Sequence, residues 1–270
     1  MTRVITVTSG KGGVGKTTTT ANLGTALAMQ GLKVAVVDAD IGLRNLDIVM
    51  GLENRIVYDL VDVVEGRARL RQALVRDKRF PDLCLLPAAQ TRDKDAVSRD
   101  DMIALCNQLR AEFDYTLIDC PAGIEAGFRN AIAGADEVLI VTTPEVSAVR
   151  DADRIIGLTE AFEKGHPRLI LNRLKPGMVN RGEMMSVADV LQILAIDLVG
   201  VVPDDERIVT ATNRGEVAVL DPTSLAGRAF ADIARRLTGE QVPFMALEEN
   251  VSFFDRLASM FGRRPRGSER

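Results

Sequence analysis

Gly10-Lys11-Gly12-Gly13-Val14-Gly15-Lys16-Thr17 has the residue types and spacing to grip a phosphate chain. The segment satisfies G-x-x-x-x-G-K-[ST] between an apolar run and a helical pattern, the setting that motif requires. Glycines let backbone N–H groups turn inward, and the following helix contributes the partial positive charge of its N-terminus. Lys16 is placed for the terminal phosphates and the Thr17 hydroxyl for Mg²⁺, so ATP with Mg²⁺ is the expected ligand pair. Gly12, Gly13, Val14, Gly15 and Thr18 complete the cradle. Lys11 is not needed to hold a nucleotide within one subunit. Its plain reading is a solvated surface lysine.

Two carboxylate positions accompany the loop. Asp38-Ala39-Asp40 ends an apolar run, as does Asp119 after Tyr115-Thr116-Leu117-Ile118. Carboxylates there can contact Mg²⁺ through water, orient an attacking water or cap a turn. Asp119 fits the Mg²⁺ role, with Pro121 and Gly123 forming a turn after it. Asp38 is open between catalysis and holding its loop. No segment resembles a phosphoacceptor pocket or kinase lid, which leaves water as the acceptor. The guanine signature Asn-Lys-x-Asp is absent, and His166, in Lys164-Gly165-His166-Pro167, reads as a surface turn residue.

These residues need a scaffold that brings several loops to one edge. Strand-like runs at 4–8, 33–38, 83–86, 115–119, 137–142, 169–171 and 198–202 alternate with helical patterns at 17–30, 99–112, 146–162, 185–194 and 225–237. Continuously apolar strands are those covered on both faces. The pattern predicts an α/β, doubly wound, mainly parallel sheet of the P-loop NTPase type. One domain is expected over 1–249, followed by a tail at 250–270.

The bulk numbers agree with such a protein. The 270 residues are 46% hydrophobic and 27% charged with a net charge of −4, which argues against a surface that coats nucleic acid. Cys84, Cys106 and Cys120 are scattered and read as packing thiols rather than a metal site. No leader-like or spanning apolar run stands in the sequence, so a cytoplasmic protein is expected.

The tail reads differently. Ser252 and Asp255 form a helix-start signal; Gly262 and Pro265 form a stop. At about 100° per residue, Phe253, Phe254, Leu257, Met260 and Phe261 share an arc of about 120°. Arg256, Arg263 and Arg264 flank it. That is the pattern of a helix lying in an anionic membrane interface, with docking on the protein's own core as the plain alternative. The expected location is cytoplasmic and reversibly peripheral at the inner face of the cell membrane.

Lys11 to Thr17 matches K-G-G-x-G-K-[ST], so the chain resembles the deviant Walker A ATPases, the ParA–MinD family. Gly42-Leu43-Arg44-Asn45-Leu46-Asp47 and Gln90-Thr91-Arg92-Asp93-Lys94-Asp95 place the resemblance in the division-site branch. It implies an ATPase whose Lys11 reaches across an ATP-dependent homodimer and whose Asp40 orients water. Asn172 and the segment Pro203 to Asp205 would hold adenine. It also implies a MinC-like division inhibitor as partner and often a MinE-like topological factor, with helix 146–162 contributing to partner surfaces. The alternative is a ParA-like ATPase that partitions DNA. Rivals further off are a metal-cluster carrier, which would need paired cysteines, and a passive nucleotide-binding scaffold.

Overall fold

The computed structural model describes residues 2–93, 96–162 and 164–245. The tail residues Phe253, Phe254, Arg256, Leu257, Met260, Phe261, Arg263 and Arg264 lie outside the described residues.

Among the described residues, one sheet carries eight strands: β1 (Arg3–Thr8), β2 (Val34–Asp38), β3 (Val75–Arg76), β4 (Leu83–Leu86), β5 (Tyr115–Asp119), β6 (Glu137–Thr142), β7 (Arg168–Leu174) and β8 (Asp197–Pro203). Their order is β3-β4-β2-β5-β1-β6-β7-β8, and every pairing is parallel except β3 with β4. The chain therefore starts in the middle and winds outward both ways. Strand order reverses beside β1, and such a switch point opens a crevice at the carboxyl ends of the strands. β1 delivers the phosphate loop there, flanked by Asp119 on β5.

Alternate residues of each strand feed two cores. Val4, Ala35, Val37, Ile118 and Ile140 pack under helices Arg99–Arg110, Ala126–Ala133, Val146–Ala161 and Val187–Leu194. Ile5, Val34, Val36, Leu117 and Leu139 pack under helices Lys16–Met29 and Leu225–Leu237. This two-sided burial explains why the strands read as apolar throughout. Ser98 and Asp101 form a capping box on helix Arg99–Arg110, and Ser224 caps Leu225–Leu237 through the Gly227 N–H.

The sheet's two-residue edge strand β3 and helix Ala126–Ala133 escape the sequence pattern. β3 is too short for an alternation to register, and the helix has only eight residues. All three cysteines are buried; desolvation pushes the Cys106 thiol up to about 11 and that of Cys120 to about 12. They are packing thiols, as expected.

Candidate nucleotide site

The phosphate loop is shaped by its glycines and by what stands behind them. Gly13 and Gly15 have φ of 79° and 94°, the left-handed region open to glycine. A side chain on Gly15 would place Cβ 2.3 Å from the Asn172 amide nitrogen, and one on Gly10 would fall 2.2 Å from the Asp151 carbonyl oxygen. The loop is therefore wedged between β7 and helix Val146–Ala161. Helix Lys16–Met29 begins at Gly15 with no side-chain cap and no acidic residue in its first turn. Its leading N–H groups are left for an external acceptor, which suits phosphate oxygens.

Thr17, Lys16 and Asp119 meet beneath that helix end. The Thr17 hydroxyl donates to Asp119 Oδ2 at 2.6 Å, Thr20 donates to Oδ1 at 3.4 Å, and Lys16 Nζ stands 3.7 Å from Oδ1. Asp119 is 1% exposed and Lys16 8%. Burial pushes the Asp119 carboxyl above its ordinary range, opposed by the Lys16 charge and the Thr17 hydroxyl. The donor set fits Mg²⁺ held by Thr17 directly and by Asp119 through water. No group of three or more metal-ligating His, Cys, Asp or Glu side chains exists among the described residues. Phosphates and water usually supply the remaining ligands of this ion.

Asp38, left open between catalysis and loop support by its sequence position, is bonded to its own loop. It is 1% exposed, and its Oδ1 accepts the Asp40 N–H at 3.0 Å while Oδ2 accepts those of Asn45 and Leu46, each at 3.1 Å. One carboxylate thus ties both ends of the loop that carries Asp40. Burial, with the neighbouring Asp119 carboxylate, pushes Asp38 up to about 7, and the three N–H donors pull against this. Further on, Arg44 Nε lies 2.8 Å from the buried Asp47 carboxylate, and Gly42 N–H donates to Ala89. Asp40 itself is half-buried two residues past the end of β2, close enough for its charge to act on Asp119.

A sequence profile of the CobQ/CobB/MinD/ParA nucleotide binding domain matches residues 5–219. The chain is 56% identical to the septum site-determining protein MinD of Bacillus subtilis over 98% of its own length and 100% of that protein. The chain belongs to the MinD family. Solved MinD structures agree. One is the MinC:MinD cell division protein complex of Aquifex aeolicus, at 51% identity and TM-score 0.85, covering 90% of this chain and 98% of that one. Another is the Pyrococcus horikoshii MinD complexed with Mg-ADP, at 32% identity and TM-score 0.80, covering 88% and 96%. As a MinD-family P-loop NTPase the chain is a nucleotide-binding ATPase.

In this MinD-family site Lys11 stands apart from the phosphate cradle. Its side chain is exposed, with Nζ 3.1 Å from the Ser147 hydroxyl and 3.9 Å from Glu145. Gly12 and Gly13 are exposed, Val14 is buried, and Thr18 is half-buried with its carbonyl accepting from Asn22 at 2.8 Å. Asn172 is 2% exposed; its amide donates to the Val14 carbonyl at 2.8 Å, and its oxygen accepts the Arg173 N–H at 2.9 Å. In this geometry it braces the phosphate loop and has one amide hydrogen left for a base.

The Asp205 carboxylate is likewise engaged. It caps helix Glu206–Asn213 through the Arg207 N–H and accepts the Ser224 hydroxyl at 2.7 Å and the Ala226 N–H at 3.1 Å. Burial works against these bonds, which nonetheless hold its pKa below the usual carboxylate range. The Asp205 side chain is thereby committed to the scaffold. Sequence reasoning missed Thr20 and the Lys11 contacts on Ser147 and Glu145. Thr20 lies three residues after Thr17, hence on the same helix face, and that spacing was a usable signal.

Proposed function

We propose that the chain is an ATP-driven switch that pairs on ATP, hydrolyses it, and while paired carries a MinC-like division inhibitor to the membrane. Half identity or more to septum site-determining proteins along nearly the whole chain favours this over DNA partitioning. The observation that carries the pairing is the exposed Lys11 beside Glu145 and Ser147, outside its own phosphate cradle. A cation there can complete the phosphate site of a second copy.

The N–H groups of Gly12 to Thr18 surround the phosphates of ATP, and Lys16 exchanges Asp119 for phosphate oxygens. Thr17 and Asp119 would hold Mg²⁺, which would supply charge neutralisation at the phosphates. Asp40, presented by the loop that Asp38 ties down, orients the attacking water. Asn172 and the backbone from Pro203 to Asp205 border the adenine. The paired copy's Lys11 stabilises charge as the terminal phosphate leaves.

Membrane binding is assigned to residues 250–270 through the apolar arc of Phe253, Phe254, Leu257, Met260 and Phe261, with Arg256, Arg263 and Arg264 on anionic headgroups. Among the described residues no helix is long and apolar enough to cross a membrane. Burying one large apolar side chain is worth ~1.5–3 kcal/mol, and a basic residue near an anionic surface adds about 1 kcal/mol. Ordering a helix too short to be stable alone offsets much of this. One tail therefore binds marginally, whereas two brought together gain roughly 10²–10⁴ in avidity. The membrane, and a MinE-like factor where one exists, would then accelerate hydrolysis.

Co-sedimentation with anionic vesicles tests the reading. ATP should bring the chain down with the vesicles and ADP should not, and removing residues 250–270 should abolish sedimentation while ATP-dependent pairing persists. Equal sedimentation with ADP and ATP would refute it.

A further inference from the structure

The phosphate loop is held at both ends and bare in the middle. At one end Ser9 is fully buried and Gly10 is seated against the Asp151 backbone. At the other, Val14 is buried with its carbonyl accepting from Asn172 at 2.8 Å. Between them Lys11, Gly12 and Gly13 are exposed, and a Cβ added to either glycine would meet nothing within 4 Å. Packing therefore does not set the peptide planes of this stretch. A glycine after a peptide bond also lets that plane turn over, because both signs of φ are open to it.

One hydrogen bond opposes that turning. The Ser9 hydroxyl donates to the Lys11 carbonyl oxygen at 3.0 Å. Among the described residues it is the one side-chain bond to the backbone of residues 11–13. Ser9 is itself a fixed post, since its own carbonyl accepts the Gly123 N–H at 3.3 Å, from the loop that follows Asp119. In a trans peptide the C=O and the next N–H point in opposite directions. With the Lys11 oxygen turned back to Ser9, the Gly12 N–H faces the opposite, open side. A plane turned over would put a carbonyl oxygen where that donor stands.

We infer that Ser9 is a positioning residue of the ATPase: its hydroxyl holds the Lys11–Gly12 peptide so that the Gly12 N–H meets the terminal phosphate. The helix end that begins at Lys16 takes the inner phosphates, which leaves the outermost one to Gly12 and the Lys16 side chain. Ser9 thus acts on ATP and hardly on ADP, which lacks that phosphate. A donor already aimed at developing phosphate charge also lowers the barrier to transfer. The inference rests on the phosphate assignment proposed above and not on pairing. Its bond is to the main chain of residue 11 and survives Lys11→Ala.

Nucleotide titrations of the full chain test this, in a Lys11→Ala background so that pairing does not enter. The probes are fluorescent analogues of ADP and of a non-hydrolysable ATP, each with Mg²⁺. Ser9→Ala should weaken the ATP analogue ~3–10-fold, the reach of one neutral hydrogen bond, and leave ADP nearly unchanged. With Lys11 restored, kcat should fall at least as far. Ser9→Thr keeps the hydroxyl and should recover both the preference for ATP and kcat. Equal weakening of the two nucleotides marks a merely structural hydroxyl and overturns the inference. So does an unchanged ratio, or a folded Ser9→Thr chain that recovers neither quantity. Should Ser9→Ala not fold, NMR of the Lys11→Ala chain decides: the Gly12 amide resonance should move with the ATP analogue and much less with ADP. Equal movement overturns the inference. A parent chain that binds neither analogue sinks the phosphate assignment as well, whereas an unchanged ratio in a chain that binds both sinks only the role of Ser9.

Discussion

Replacing Asn172 with alanine should loosen the phosphate loop, and the structure sets the size of the effect. The amide donates to Val14 at 2.8 Å and accepts from Arg173 at 2.9 Å, in a position 2% exposed. A hydrogen bond contributes ~0.5–1.5 kcal/mol net, and a buried polar group left without a partner costs ~1–3 kcal/mol. The Val14 carbonyl loses its partner in the core, whereas the Arg173 N–H lies at an exposed residue and can turn to water. The expected loss is about 2–4 kcal/mol of folding stability, with weakened nucleotide binding because the loop is no longer pinned to β7. A double-mutant cycle sharpens this. Gly15→Ala alone meets the Asn172 amide at 2.3 Å and strains a φ of 94°. With Asn172→Ala already present the collision is gone, and only the left-handed backbone cost of roughly 1–2 kcal/mol remains. Urea unfolding and titration with a fluorescent nucleotide analogue, on all four proteins, measure the coupling. Strict additivity, or a single Asn172→Ala variant within about 0.5 kcal/mol of the parent, would refute the bracing role.

Other outcomes follow from the same geometry. Asp40→Ala should accumulate an ATP-bound dimer without turnover, seen by light scattering beside phosphate release; undiminished turnover would clear Asp40 of orienting water. Lys11→Ala should leave the fold and thermal unfolding intact but abolish ATP-dependent pairing by light scattering. Glu137 bonds Arg3 at 2.5 and 2.7 Å and Arg168 at 2.6 Å; against burial, these partners hold its carboxyl below the ordinary 4.5. A depressed folded-state pKa gives stability that is present above 4.5 and lost as pH falls through the folded value. Glu137→Gln should therefore flatten stability against pH below about 4.5, at a cost near neutrality of ~1–2 kcal/mol, reduced by the partial exposure of the network.

Much of this was legible in the residues. The apolar runs of β4, β5 and β6 mark those strands with their observed bounds, because both sheet faces are buried and no alternation confuses the pattern. Lys16, Thr17 and Asp119 follow from motif and context. What stayed hidden depends on contacts between distant segments. Nothing near Asn172 announces that its amide is turned toward Val14, 158 residues earlier in the chain. The adenine reading of Asn172 and Asp205 came from family likeness, whereas the geometry shows how much of each side chain is already committed to the scaffold. Asp38 read as an ambiguous carboxylate because its three donors come from a loop whose path local propensity does not set. Short elements such as β3 carry too few residues to announce themselves.

The seat of Gly10 against the backbone of Asp151 has a mechanical consequence. With no room there for even one methyl group, the start of the phosphate loop lies directly on the backbone of helix Val146–Ala161. A loop that moves at the phosphates therefore presses on the helix backbone itself, with no side chain between them to absorb the shift. A protein gripping that helix from outside would feel the nucleotide without touching it, and by reciprocity its grip would press back on the phosphates.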